Sequence, residues 1–135
     1  MEGIDAGLFG LLKADATLMA MVTEVYSPEA PDDTEDGVTV TYPFLLFESL
    51  GGPDEYTLTQ RVRTQFQYQI RIVGSGPSIQ PLWLALERVD TILCDAAVTA
   101  STIYCRRERV DPPISENIDG VMFHQVLAEY RIEVL

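Results

Sequence analysis

From Arg63 to Val73 the chain reads "RTQFQYQIRIV", and hydrophobic and polar positions alternate almost without a break. Successive side chains of an extended strand leave opposite faces. Thr64, Phe66, Tyr68, Ile70 and Ile72 therefore share one face, and Arg63, Gln65, Gln67, Gln69 and Arg71 the other. The first face predicts a core. The second sets three glutamines in register between two arginines, and what those amides meet is the first question the chain raises.

The rest of the pattern divides between helical and strand periods. Ile4, Leu8, Leu11 and Leu12 recur at helical spacing, and Asp15 suits the cap of a second short turn carrying Leu18, Met21 and Val22. A kinked helix from Ile4 to Val22 is predicted. The stretch "EVYSPEAPDDTEDGVTVTYP" then brings three prolines and a run of acids, the composition of a long exposed loop, with a brief strand at Val38 to Thr41. Loops of this length inside a compact domain usually have a task.

"FLLFESL", Phe44 to Leu50, reads as a strand, "GGPDEYTLTQ" as a turn-rich connection, and the alternating stretch as the antiparallel partner. "GSGPS" ends that strand, with Ser78 as a helix cap. Ile79, Leu82, Trp83, Leu86, Val89 and Leu93 then line one face of a helix reaching Ala96, with Pro81 in its first turn, where no amide donor is needed. Trp83 is expected to anchor the core from this stripe. "TIYCRRER" is a shorter strand. In the last strand Val126, Ala128, Tyr130, Ile132 and Val134 oppose Gln125, Glu129, Arg131 and Glu133. The order helix, strand, strand, helix, strand, strand predicts an α+β fold: a mostly antiparallel four-stranded sheet with two helices packed on one face.

A length of 135 residues is one domain, 1–135, and 47% hydrophobic with 22% charged residues is the composition of an ordinary globular protein. No apolar run reaches the roughly 18 to 20 residues that cross a bilayer, and "MEGIDAGLFG" lacks the basic start of a signal peptide. The expectation is a protein made and kept in a cytoplasm, with no membrane partner. Cys94 and Cys105 stand at no metal spacing and are expected as small buried hydrophobes, a disulfide being the lesser alternative.

Charge narrows the partners. Twenty-one acidic residues against nine basic ones give −12, which repels phosphate backbones unless the bases are concentrated. "RRER" holds the one concentration, Arg106, Arg107 and Arg109. No aromatics or glycines interleave it, so pairing with acids, inside the fold or on a neighbouring subunit, is the reading that suits arginine.

Candidate chemistry fails motif by motif. Asp32, Asp33, Glu35, Asp36 and Gly37 invite a calcium loop, yet an EF-hand alignment puts Thr34 third and Pro43 where the bidentate glutamate belongs. A solvated loop fits better. "GSGPSI" follows a strand and opens a helix, but has Ile79 where a dinucleotide fingerprint needs glycine, and lacks the lysine of a P-loop. His124, the sole histidine, alternates with the apolar face of its strand, as a half-buried structural histidine does. No nucleophile, acid–base pair, cofactor site or metal site is nominated.

Taken together, "LLKADATLMAMV", "VYSPEAP", "YPFLLFE", the alternating strand, "LWLALERVDTILCD" and "FHQVLAEYRIEV" resemble the small tail-completion or tail-terminator proteins of long-tailed phages. The likeness spans nearly the whole chain. It implies a non-enzymatic virion protein that forms a ring, typically of six subunits, on the last ring of the tail tube. Such a ring stops polymerisation and offers a surface to the head connector. The implied partners are other copies of the chain, the tail tube protein and the head-tail connector, with DNA passing through the ring without specific binding; the implied location is the head-tail junction. The long acidic segment before "YPF" and the connection from Gly51 to Arg61 depart from the family pattern.

On this reading Gln65, Gln67 and Gln69, with Arg106, Arg107 and Arg109, are candidates for the subunit interface, because amides hydrogen-bond without adding charge. Asp32, Asp33, Glu35 and Asp36 would face a partner. A head-completion or connector component is the alternative within the class. A small cytoplasmic hydrolase or nucleotide-binding domain, or a bacterial regulatory module, are the alternatives outside it.

Overall fold

A computed structural model describes residues 2–26, 42–51, 54–56 and 61–135. Asp15 divides the first helical segment into α1 (Glu2–Ala14) and α2 (Ala16–Met21). Its backbone is extended, and its Oδ1 accepts the Leu18 amide at 2.8 Å, satisfying one of the donors that a helix start leaves open. The acidic segment with Asp32, Asp33, Glu35 and Asp36, and the brief strand expected at Val38 to Thr41, lie outside the described residues.

The strands are β1 (Val25–Tyr26), β2 (Phe44–Gly51), β3 (Asp54–Tyr56), β4 (Arg61–Ser75), β5 (Thr102–Val110), β6 (Ile114–Ile118) and β7 (Val121–Val134), with α3 (Gln80–Leu93) between β4 and β5. They form one sheet in the order β1-β2-β4-β7-β5, with β3 added to β4 and β6 to β7. β1 runs parallel to β2, and every other pair is antiparallel. The expected four-stranded sheet with two helices is thus corrected, among the described residues, to a seven-stranded mixed sheet with three helices. The missed strands have physical reasons. β1 and β3 are two and three residues long, too short to show a period, and all five residues of β6 are exposed, so burial imposes no alternation there.

The helices lie on one face of the sheet. Leu82, Ala85, Leu86, Val89 and Leu93 of α3 join Ile4, Leu8 and Leu12 of α1 and Leu18 of α2 in a core closed by Tyr68, Ile70 and Ile72 of β4 and Val126, Ala128, Tyr130 and Ile132 of β7. Each fully buried aliphatic side chain contributes about 1.5 to 3 kcal/mol. Trp83 is not the anchor expected: it is half-buried at the margin of this core, because α3 turns Leu82 and Leu86 inward instead. Ser78 does support the start of α3, accepting the Gln80 amide at 3.2 Å, although Ile79 occupies the cap position itself.

Two tyrosine hydroxyls tie the layers together. Tyr68 donates to Asp5 of α1 at 2.7 Å and Tyr130 donates to Asp90 of α3 at 3.1 Å. Of the two cysteines, Cys105 is buried and Cys94 exposed, which corrects the expectation of two buried thiols. Burial pushes the Cys105 thiol up to about 12.

Candidate functional site

The sheet face opposite the helices is where the glutamines point, and strand register decides what each one meets. Gln65 pairs with Glu133, Gln67 with Arg131 and Gln69 with Glu129, so the three amides of β4 stand beside an alternating acid, base, acid column on β7. On the far side of β7, Arg106 stands opposite Arg131 and Arg109 opposite Glu129, while Glu48 of β2 stands opposite Gln69. A primary amide both donates and accepts, so one residue type serves beside either sign of charge. That answers the question raised by the alternating strand, since a glutamate or lysine in the same column would meet a like charge directly across a strand pair.

The rungs are partly closed by ion pairs and a side-chain hydrogen bond. Arg131 contacts Glu108, Arg71 donates to the Gln69 side-chain oxygen at 3.1 Å, and Arg109 contacts Asp111 and lies 3.7 Å from Glu129. Gln65, Gln67 and Gln69 are half-buried, and Glu133 is 3% exposed. Burial pushes the hydroxyl of Tyr104 up, and its hydrogen bond to Glu133 adds to the effect.

The arginine cluster separates by facing. Arg107 turns to the helix side, where it bonds Glu87 at 3.0 Å and lies 3.9 Å from Asp90 of α3. Arg106 and Arg109 are largely exposed, Arg106 reaching Asp95 at 3.5 Å across an open surface where such a pair contributes little. All three arginines thus have acidic partners within the chain; Arg106 and Arg109 stand across β7 from Gln67 and Gln69, in register with Arg131 and Glu129, whereas Arg107 faces the helices.

A second feature escaped the sequence reading. β6 and β7 form a hairpin turning through Asp119 and Gly120, both with positive φ of 51° and 84°, and Asn117 Oδ1 accepts the Gly120 amide at 3.0 Å. An Asp-Gly pair with left-handed backbone is the preferred two-residue hairpin turn, and it was the local signal available. The hairpin carries Ile114, Ile118 and Val121, which are 51%, 47% and 47% exposed. Beside it an aromatic series, Phe123, Tyr42, Phe44 and Tyr26, crosses the same sheet face with ring centroids 5.4 to 5.8 Å apart.

His124 fastens this hairpin to the body. Its Nε2 donates to the Gly76 carbonyl at 2.9 Å, which leaves Nδ1 to accept the Ser115 hydroxyl at 2.8 Å. A serine on a histidine nitrogen is also the start of a nucleophilic pair. Here, however, the nearby shallow cleft is lined by Gly76, Pro77, Gly120, Val121 and Met122, not by Ser115, so the bond is read as a structural tie between β6, β7 and the loop before α3. Among the described residues no group of histidine, cysteine, aspartate or glutamate is arranged to hold a metal ion, and no helix is long and apolar enough to cross a membrane.

No protein-family model matches the sequence, and no curated protein matches it. The fold does have a solved counterpart. A chain in the virion of a native gene transfer agent particle superposes with a TM-score of 0.61 over 95% of this chain and 92% of that one, at 14% sequence identity. The likeness at this identity is one of fold, over nearly the whole of both chains.

Proposed function

We propose that this protein is a structural component of a phage-like virion, and more specifically a tail terminator. It would form a ring, typically of six copies, on the last ring of the tail tube, stop polymerisation there, and present a surface to the head-tail connector. The observation that carries the reading is the fold shared over nearly the whole of both chains with a chain of a gene transfer agent virion. The tail-terminator resemblance of the sequence supports the finer step.

The amide-lined face suits a surface covered by a neighbouring subunit. Its charges already alternate in register, so a covering protein meets little net charge and many hydrogen-bonding groups. Gln65, Gln67, Gln69 and the exposed Arg106 and Arg109 are the contacts assigned to that interface, with Arg107 behind them. Asp32, Asp33, Glu35 and Asp36 are assigned to a partner-facing segment. The formal charge of −12 suits a ring through which DNA passes without adhering.

The test combines light scattering of the purified protein over a wide concentration range with electron microscopy of tails assembled in its presence. A ring at the tail tip is the expected result. A protein that stays monomeric and is absent from tail tips overturns the reading.

A further inference from the structure

Among the described residues β5 and β6 lie on the outer side of β7, and they treat their outer edges differently. β5 has register shifts between Thr102 and Tyr104 and between Arg107 and Arg109, and it carries Arg106, Arg107, Glu108 and Arg109. Bulges and charges of this kind block strand addition at a sheet edge. β6 has no bulge and no run of charges: Ile114 to Ile118 pair with Gln125 to Val121 in unbroken register, and Glu116 is the one charge in five residues. Among the described residues β7 is the only strand that pairs with β6.

The register also fixes what that edge offers. The pair flanking a two-residue hairpin turn, Ile118 and Val121, exchanges its hydrogen bonds, and pairs alternate from there. Ser115 and Asn117 therefore turn their backbone N–H and C=O groups outward. Ile114, Glu116 and Ile118 share the face opposite the helices, and all three are exposed.

A second copy of β6 is a poor occupant. Antiparallel self-pairing centred on the strand would set Glu116 against Glu116, and like charges directly opposite destabilise a pair. It would also join two chains of −12 at a hairpin whose charges, Glu116 and Asp119, are both acidic.

We propose that β6 is a docking edge for an extended basic segment of a partner protein, which adds as a strand beside Ser115 and Asn117. The segment places an apolar side chain, a lysine or arginine, and an apolar side chain at alternate positions, opposite Ile118, Glu116 and Ile114. Main-chain bonds supply affinity, and the cross-strand charge supplies choice. The proposal stands on the hairpin alone and does not require the tail-terminator reading.

Two fluorescein-labelled nonapeptides test it, both threonine-rich with valine, a central charged residue and valine at alternate positions; the charge is lysine in one and glutamate in the other. Fluorescence anisotropy is measured against the full chain and against Glu116→Lys, whose melting curve is checked first. The expected result is a preference for the lysine peptide of roughly tenfold, inverted by Glu116→Lys. Hydrogen exchange should slow at the Ser115 and Asn117 amides when the preferred peptide binds. Absence of binding, a preference that does not invert, or unprotected Ser115 and Asn117 amides overturns the proposal. None of these outcomes depends on whether rings form on tails.

Discussion

Arg88 of α3 grips Asp15 through both carboxylate oxygens, Nε to Oδ1 at 3.1 Å and Nη2 to Oδ2 at 2.7 Å, while Asp15 caps α2 on the Leu18 amide. One residue thus breaks the first helix with its backbone, and its side chain starts the next and holds it against the third. The Arg88 hydrogen bond, followed by that of the Leu18 amide, holds the Asp15 carboxyl below its ordinary range. A depressed folded-state pKa contributes stability that is present above the unfolded value, near 4, and lost as pH falls through the folded value. Asp15→Asn should therefore flatten the acid limb of the stability curve below about pH 4 while keeping the cap. Asp15→Ala should lower the melting temperature further at neutral pH. Thermal melts of the three proteins between neutral and acid pH check the order.

The tyrosine ties give the opposite limb. Burial, then the nearby Asp5, pushes the Tyr68 hydroxyl well up, and burial with Asp90 does the same for Tyr130. An acid with a raised folded-state pKa binds its proton more tightly when folded, so its contribution is complete below the unfolded value near 10 and declines as pH rises above it. Unfolding should set in above about pH 10 with tyrosinate absorbance appearing cooperatively. Tyr130→Phe should shift that onset to higher pH while costing about 1 kcal/mol at pH 7 for the lost hydrogen bond to Asp90. Urea melts at pH 7 and an alkaline titration by circular dichroism measure the two halves of this expectation.

Core weight should follow burial within α3. Leu86 is fully buried and Trp83 half-buried, although tryptophan is the larger residue. Leu86→Ala is expected to cost about 2 to 5 kcal/mol. Trp83→Ala should cost only about half of the 3 to 5 kcal/mol typical of a fully buried aromatic. Urea denaturation of the two variants tests the ranking, and a larger loss at Trp83 would overturn the placement of this helix face.

The contrast between β4 and β6 explains what the sequence could reveal. From Thr64 to Ile72 β4 is mostly buried on one side and half-buried on the other, so its side chains had to alternate, and both its core face and its glutamine face were legible. β7 was legible for the same reason. β6 is exposed throughout and left no period, so the hairpin, with Ile114, Ile118 and Val121, was missed despite the Asp119–Gly120 pair that marks its turn. The amide row was visible in the sequence. Its meaning was not, because the acid, base, acid column beside it lies sixty or more residues away and is brought there by register alone. The parallel placement of β1 on β2 rests on two residue pairs, with no local trace.

Two glycines of α1, three positions apart, should respond to alanine with opposite sign. At Gly10 an added Cβ would meet nothing within 4 Å, and the residue is exposed within the helix. Gly10→Ala should therefore stabilise by about 0.5 to 1 kcal/mol, the usual difference in helix propensity. At Gly7 the same Cβ would lie 2.1 Å from the Val98 carbonyl oxygen and 2.9 Å from its Cγ1. A backbone carbonyl cannot rotate aside as a side chain can, so α1 or the Val98 segment must shift. Gly7→Ala should lose the propensity gain and cost about 1 to 3 kcal/mol in overpacking. Melts of the two variants beside the parent decide the matter: a stabilised Gly7→Ala would mean that α1 does not approach Val98 closely enough to require glycine.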